Sequence, residues 1–128
     1  LRLANQRDEL RVVADQIGAP TPASWIADAT ADLIRHGVAE SGTWHLVAAG
    51  QVSWHGFASA IMEDAHALGL LERMPTVVPI TTAEFPTPAK RPAYSVLDTT
   101  QLREDFGIVP PAWRESLRAT LRELVRSA

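Results

Sequence analysis

The chain has 128 residues, of which 46% are hydrophobic and 21% charged, and a formal net charge of −3. This length and composition are typical of one globular domain with an apolar core. The negative charge excludes a general attraction to nucleic acid, and the lack of cysteine excludes disulfides, thiolate zinc sites and cysteine nucleophiles. The longest uncharged run, residues 41–60, contains His and Gly and cannot be a membrane helix. We therefore expect a cytoplasmic protein that binds neither nucleic acid nor membrane.

The first residues read as the middle of a helix. Leu1 and Ala4 have helical spacing, yet no Ser, Thr or Asp cap precedes them and the chain does not begin with Met. We therefore expect a piece of a longer protein. A short β-type run at residues 11–14 leads into a turn-rich loop at residues 15–21.

A helix and a strand are predicted next. Thr21 is a suitable N-cap and Pro22 a suitable first helical residue, so we predict a helix over residues 22–36 that ends at Gly37. Residues 43–49 are almost uniformly apolar and lie between two glycines. Such a run is typical of a strand that is covered on both faces, as in a parallel α/β sheet.

The second half of the chain continues the alternation of helix and strand. Ser53 is predicted to cap a helix that ends at Gly69, and residues 76–80 are predicted to form a strand. This would be an edge strand, because Pro79 cannot donate a ladder hydrogen bond. Three prolines between residues 86 and 92 then predict a stiff, extended loop.

Two more helices complete the predicted α/β fold. Either Thr99 or Thr100 is expected to cap a short helix that ends at Gly107. The last helix follows two prolines, and its apolar spacing predicts the buried side chains Trp113, Leu117, Leu121 and Leu124.

The sequence contains no complete catalytic set. It lacks the GxSxG nucleophile elbow, and its glycines never form the phosphate loops GxGxxG or GxxxxGK[ST]. The single tyrosine, Tyr94, is followed four residues later by Asp98, so the Tyr-x-x-x-Lys pair of short-chain dehydrogenases is missing. The four histidines lack the spacing of a zinc site.

Two loops have the composition of ligand-binding loops. In the loop at residues 15–21, Gly18 permits close backbone approach and Gln16 offers an amide that can donate and accept. In the proline-rich loop, Arg91 lies on a stiff segment that loses little entropy on binding, and its guanidinium could bind a diphosphate. An ordinary turn before a helix and a solvated surface charge are the alternative interpretations.

These loops also carry a resemblance to a known family. Three stretches resemble the second half of the dTDP-4-dehydrorhamnose reductases: Asp15-Gln16-Ile17-Gly18-Ala19-Pro20-Thr21, the apolar run at 42–48, and Phe85-Pro86-Thr87-Pro88-Ala89 followed by Arg91-Pro92, Ser95 and Leu97-Asp98. Their order and spacing match over nearly the whole chain. Trp54-His55 and the helix of Trp113 are also similar to that family.

The resemblance implies the C-terminal substrate-binding part of an extended short-chain dehydrogenase/reductase, with residues 1–128 forming one sugar-nucleotide-binding portion. The strand at 43–49 would belong to the Rossmann-type sheet of the NAD(P)-binding half, which this chain lacks. The family reduces dTDP-6-deoxy-L-lyxo-4-hexulose to dTDP-L-rhamnose with NADPH, or sometimes NADH, in polysaccharide biosynthesis. Its catalytic residues lie in the missing half, so none is expected here.

The resemblance also assigns roles to individual positions. Five residues would bind the sugar nucleotide: Gln16, Pro20, Thr21, Arg91 and Ser95. Among them, Arg91 would pair with the diphosphate. Some members of the family bind a divalent ion such as Mg²⁺ at a homodimer contact, and Glu40 and Glu123 match those acidic positions.

Two other readings of the chain differ in function. A non-catalytic regulatory relative of the same fold would resemble the regulatory subunit of methionine adenosyltransferase. A free-standing interaction domain would keep the fold and bind no ligand. The sequence of the missing half would distinguish the regulatory relative from a reductase. Calorimetry with dTDP would test whether the chain is an interaction domain without a ligand.

Overall fold

The computed structural model describes residues 1–38 and 41–127, and they form a mixed α/β fold. The helices are Ala23–His36 (α1), Trp54–Ala67 (α2), Thr100–Phe106 (α3) and Trp113–Ser127 (α4). The strands are Glu9–Val13 (β1), Ile17–Gly18 (β2), Val52–Ser53 (β3) and Thr76–Ile80 (β4). A 3₁₀ turn spans Thr82–Glu84. The predicted α/β class is confirmed.

Two small sheets position the loops. Strands β1 and β4 pair in parallel, with Glu9 opposite Thr76 and Val13 opposite Ile80. Strands β2 and β3 pair antiparallel. Helix α2 packs on both β1 and β4, and its other side contacts α4. The loops that leave β1 and β4 therefore emerge side by side, at the same end of the parallel pair.

The core lies between α2, α4 and the parallel strands. Its buried members are Ala4, Ala60, Met62, Ala65, Leu71, Leu117 and Leu121. Three of these side chains are alanines, and larger, partly buried side chains such as Phe57 and Trp113 pack against them. None of the helices that the structure describes has the length and apolarity that a membrane span requires.

Most predicted helix ends are confirmed by the backbone. Ser53 caps α2, since its side chain accepts a hydrogen bond from the Gly56 N–H at 3.0 Å. Gly37 ends α1 at φ +76° and Gly107 ends α3 at φ +66°. At α3, Thr99 occupies the predicted N-cap position, but its side chain makes no capping bond, and the Thr100 N–H donates to the Asp98 carboxylate at 2.9 Å instead.

The predicted cap of α1 is wrong. Pro22 occupies the N-cap position, and Thr21 makes no capping bond. Instead the Thr21 hydroxyl donates to the Ala19 carbonyl and accepts from the Ala48 N–H, both at 2.9 Å. The hydroxyl thus joins the start of α1 to a segment 27 residues further along the chain.

The strand predicted at residues 43–49 is not formed among the described residues. Residues 43–48 have no regular secondary structure, and only Ala49 forms an isolated bridge, with Ala112. A strand is defined by a neighbour that completes its ladder, and within the described residues no ladder forms on this segment. Its assignment to a larger sheet stays a prediction.

Two further expectations differ from the structure. Residues 2–6 form hydrogen-bonded turns and not a helix, which agrees with the high cost of nucleating so short a helix. Leu124, predicted to be buried, is 46% exposed, whereas Leu121 is 3% exposed. The buried stripe of α4 therefore ends near Leu121.

Candidate functional site

A cleft of about 450 Å³ opens beside β1, and we call it the main cleft. Its walls come from β1 with the loop that follows, from the first residue of α2, and from the proline-rich loop after β4. The lining residues are Arg11, Val12, Val13, Gln16, Trp54, Phe85, Thr87 and Arg91. Gln16 and Arg91, which the sequence placed on two separate loops, therefore face the same space.

The loop that carries Gln16 is held from both sides. On one side β2 pairs with β3, and on the other side Ile17 forms a parallel bridge with Tyr94. The Ile17 N–H donates to the Ala93 carbonyl at 2.8 Å, and the Ser95 N–H donates to the Ile17 carbonyl at 2.9 Å. The segment that follows the proline-rich loop is thus hydrogen-bonded to the residue next to Gln16 and holds the backbone there in place.

The packing around Gly18 is close. A Cβ atom there would lie 3.1 Å from the Ser95 Oγ. The Ser95 hydroxyl also lies 3.2 Å from the Ile17 carbonyl, to which it donates. Ser95 therefore contacts the first loop directly, which the sequence alone could not reveal.

The other predicted site residues lie next to the main cleft, not in it. Pro20 and Ser95 line a small cleft of about 160 Å³. Pro20 and Thr21 line a groove of about 520 Å³ that runs between α1 and α4. The main cleft, the small cleft and the groove all include Trp54 in their walls.

Trp54 is a candidate functional residue that was not singled out from the sequence. It is 54% exposed although it is a large aromatic side chain. Its ring contacts Phe57 edge-on at 6.4 Å, and Phe57 contacts Trp113 edge-on at 6.0 Å. The sequence offered one signal for this role, a tryptophan directly after the N-cap Ser53. A side chain in the first turn of a helix projects towards the preceding loop.

The proline-rich loop is tied to the loop of Gln16 through Thr82. The Asp15 carboxylate accepts from the Thr82 N–H at 3.0 Å and from the Thr82 hydroxyl at 2.7 Å. These hydrogen bonds, first that of the hydroxyl, hold the pKa of Asp15 below its ordinary value of 3.8. The Gln16 Nε2 lies 3.0 Å from the same hydroxyl oxygen. Asp15 is therefore ionised at neutral pH and anchors both loops.

The two arginines of the main cleft differ in their neighbours. Arg11 pairs with Glu84 at 3.1 Å. Hydrogen bonds from the backbone and hydroxyl of Thr81, together with the charge of Arg11, lower the pKa of Glu84 below its ordinary 4.5. Arg91 forms no ion pair with any residue of the described part of the chain. Its guanidinium is therefore the cation in the main cleft that has no protein anion to neutralise it.

The acidic metal ligands that the resemblance implies, Glu40 and Glu123, stay a prediction. Glu40 lies outside the described residues, and Glu123 is exposed on α4. Over residues 1–38 and 41–127, no group of three or more His, Asp and Glu side chains is placed to hold a metal ion.

The chain matches a known family model over almost its full length. Residues 1–126 match the RmlD substrate-binding domain. Among curated proteins, the chain is 44% identical to a dTDP-4-dehydrorhamnose reductase of Burkholderia thailandensis over 98% of its own length. It is 42% identical to the spore coat polysaccharide biosynthesis protein SpsK of Bacillus subtilis over 96% of its length.

Solved structures agree with this match. A dTDP-4-dehydrorhamnose reductase from Bacillus anthracis, in complex with NADP, superposes with a TM-score of 0.84 at 35% identity and covers 95% of this chain. One from Clostridium acetobutylicum superposes with a TM-score of 0.84 at 36% identity and covers 98%. The chain spans less than half of these relatives: 45% of the Burkholderia protein and 41% of each solved chain.

Proposed function

The chain belongs to the RmlD substrate-binding domain family, and we propose that it is the part of a dTDP-4-dehydrorhamnose reductase that binds the dTDP-sugar. The complete enzyme would reduce the C4 ketone of dTDP-6-deoxy-L-lyxo-4-hexulose to give dTDP-L-rhamnose. Its product would serve the synthesis of lipopolysaccharide or cell-wall polysaccharide, in the cytoplasm. No observation favours the regulatory alternative or an interaction domain without a ligand.

The main cleft carries this proposal. Arg91 has no carboxylate partner among the residues that the structure describes, and it faces the same space as the Gln16 amide and the exposed rings of Trp54 and Phe85. A guanidinium presents a planar set of donors that suits a diphosphate. Exposed aromatic rings offer flat apolar faces to a base or a sugar. A sugar nucleotide combines these groups in one molecule.

The neighbouring residues would form the wall beside the main cleft. Pro20 and Ser95 lie next to Gly18, where the loop approaches residues 93–95 closely. Thr21 lies beyond Trp54, in the groove between α1 and α4. We propose that the Trp54 side chain separates the main cleft from the groove. Its ring would then limit how far a bound ligand extends towards Thr21.

The hydride donor would bind outside this chain. NADPH supplies a hydride to the ketone when it is bound, and NADH would do the same. The residues of this chain do not fit a dinucleotide, because no glycine-rich phosphate loop is present in the sequence. No catalytic residue is therefore proposed here, and the chain's task is to hold and orient the sugar nucleotide.

A metal ion and a dimer stay predictions. Mg²⁺ would be held by Glu40 and Glu123 at a contact between two copies of the chain. Carboxylate oxygens suit Mg²⁺, which also keeps several of its waters.

Titration of dTDP into the gene product that contains this chain tests the proposal. Charge-assisted hydrogen bonds contribute about 1.5–3 kcal/mol, so Arg91→Ala should weaken dTDP binding by roughly tenfold to a hundredfold. Arg91→Lys should recover part of the affinity, since it keeps the charge and loses the planar donors. In steady-state kinetics Arg91→Ala should mainly raise KM.

The matched control is Lys90→Ala, a neighbouring cation that does not line the main cleft. It should change the affinity by less than about threefold, because an exposed charge acts weakly at a distance. An Arg91→Ala protein that binds dTDP as tightly as the parent protein would refute the role of Arg91. A parent protein that binds neither dTDP nor dTDP-L-rhamnose would refute the proposed function.

A further inference from the structure

The amide of Gln16 is the end of a short chain of hydrogen bonds. The Thr82 hydroxyl lies 2.7 Å from an Asp15 carboxylate oxygen, and the Gln16 Nε2 lies 3.0 Å from the Thr82 oxygen. The Thr82 N–H adds two contacts of 3.0 Å to the same carboxylate. Donation thus runs in one direction through the three side chains: the Gln16 amide donates to the Thr82 hydroxyl, which donates to the Asp15 carboxylate.

This direction follows from the chemistry of the groups. An ionised carboxylate can only accept hydrogen bonds, so the single proton of the Thr82 hydroxyl points to Asp15. The Thr82 oxygen is then an acceptor towards Gln16, and only the NH₂ end of the amide can donate to it. The two ends of a glutamine amide are assigned from such networks, and this network allows one assignment.

The opposite end of the amide is the Gln16 carbonyl, which can only accept. Among the described residues this side-chain oxygen, Oε1, accepts no hydrogen bond, while the Gln16 side chain lines the main cleft. We propose that Asp15 and Thr82 are positioning residues that make Gln16 a fixed acceptor, so that the main cleft selects a ligand with an N–H or O–H donor at this point. This inference rests on the proposed function, and it assigns Gln16 to a part of the ligand other than the diphosphate, which has only acceptors at neutral pH.

A dTDP-sugar has three sources of such a donor: the N3–H of the base, the 3′-hydroxyl of deoxyribose and the hexose hydroxyls. Three comparisons identify the source. They are dTDP against dTDP methylated at N3, dTDP against 2′,3′-dideoxy-TDP, and dTDP-L-rhamnose against dTDP. In each comparison one ligand lacks one of these three sources of a donor, and both ligands keep the diphosphate.

The decisive variant is Thr82→Val, which removes the hydroxyl but keeps the branched shape and the N–H that binds Asp15. The Gln16 amide is then free to turn. In one of the three comparisons, the parent protein should bind the ligand that has the donor more tightly than the ligand that lacks it. Thr82→Val should reduce this ratio of affinities by about threefold to tenfold, which corresponds to the loss of one neutral hydrogen bond. Thr82→Ser keeps the hydroxyl and should retain the preference.

Asp15→Asn is a second variant that tests the direction of the chain. An asparagine amide has one acceptor oxygen and an NH₂ end that can donate to the Thr82 oxygen, so residue 15 no longer obliges the Thr82 proton to point towards it and the Gln16 amide can turn round. The same preference should fall in this variant, and it keeps the loop anchored if Thr82→Val does not fold. Thermal melting of each variant reports on folding separately from the ligand preference.

The outcomes separate this inference from the function on which it rests. Parent protein that binds no dTDP ligand would refute both. Parent protein that binds dTDP but changes its preference by less than twofold in both Thr82→Val and Asp15→Asn would refute the inference alone. So would a Thr82→Ser protein as impaired as Thr82→Val, because a structural loss at Thr82 would then explain the result.

Discussion

Replacing Leu121 by alanine should destabilise the fold by about 2–4 kcal/mol, the range of a leucine lost from a packed core. Leu121 is 3% exposed and lies in the core cluster with Ala60, Ala65 and Leu117. Alanine side chains have no rotamers with which to fill a cavity, so relaxation around the deleted atoms should be small. In urea unfolding followed by circular dichroism, an m-value of about 1–3 kcal/mol/M would place the midpoint roughly 1–2 M lower.

The same helix supplies a matched control in Leu124→Ala. Leu124 lies three residues further along α4 and is 46% exposed. Leucine and alanine have similar helix propensities, so the two variants differ mainly in burial. Leu124→Ala should cost less than about 1 kcal/mol, as exposed substitutions usually do. Equal losses at the two positions would refute the assignment of the buried face of α4.

Three further predictions concern caps, charges and backbone strain. Ser53→Ala should lower stability by about 1 kcal/mol through loss of the α2 cap, and Ser53→Thr should lose less; both are measured by thermal unfolding. The lowered pKa values of Asp15 and Glu84 mean that their stabilisation is complete above the ordinary values of 3.8 and 4.5 and is lost as pH falls through the lower folded values. Melting temperature should therefore fall on acidification below about pH 4.5, less steeply in Asp15→Asn. Gly50→Ala should cost more than Gly69→Ala, because both have positive φ but only at Gly50 would a Cβ meet a neighbouring side chain, at 3.1 Å.

Each of these three has an outcome that contradicts it. An unchanged melting temperature in Ser53→Ala would mean that water replaces the cap at no cost. A melting temperature in Asp15→Asn that follows the parent's pH dependence would remove Asp15 from the acid response. Equal costs for the two glycine variants would show that the indole ring near Gly50 moves aside freely.

Local features were predictable from the sequence because a few adjacent residues decide them. The cap at Ser53 depends on one hydroxyl and an N–H three residues later. The positive φ of Gly37 and Gly107 follows from the lack of a Cβ at the end of a helix. The strand at 76–80 was recognisable from its β-branched residues and its proline at an edge.

The failures share a tertiary cause. Thr21 could have capped α1, but its hydroxyl binds the Ala48 N–H, which only folding brings near. The apolar run at 43–49 has the composition of a strand and lacks a ladder in the described structure. The sequence pattern gives the tendency to form a strand, whereas the hydrogen bonds come from a neighbour elsewhere in the chain.

The same division applies to the candidate site. The ligand-binding composition of two loops, one with Gln16 and one with Arg91, was readable from the sequence, because turn glycines and prolines act within their own segments. Folding brings these loops to one cleft, which Trp54 borders, and places the Thr82 hydroxyl against the Gln16 amide. No local pattern could predict this contact, because Gln16 and Thr82 are 66 positions apart and the parallel pairing of β1 with β4 brings their loops together.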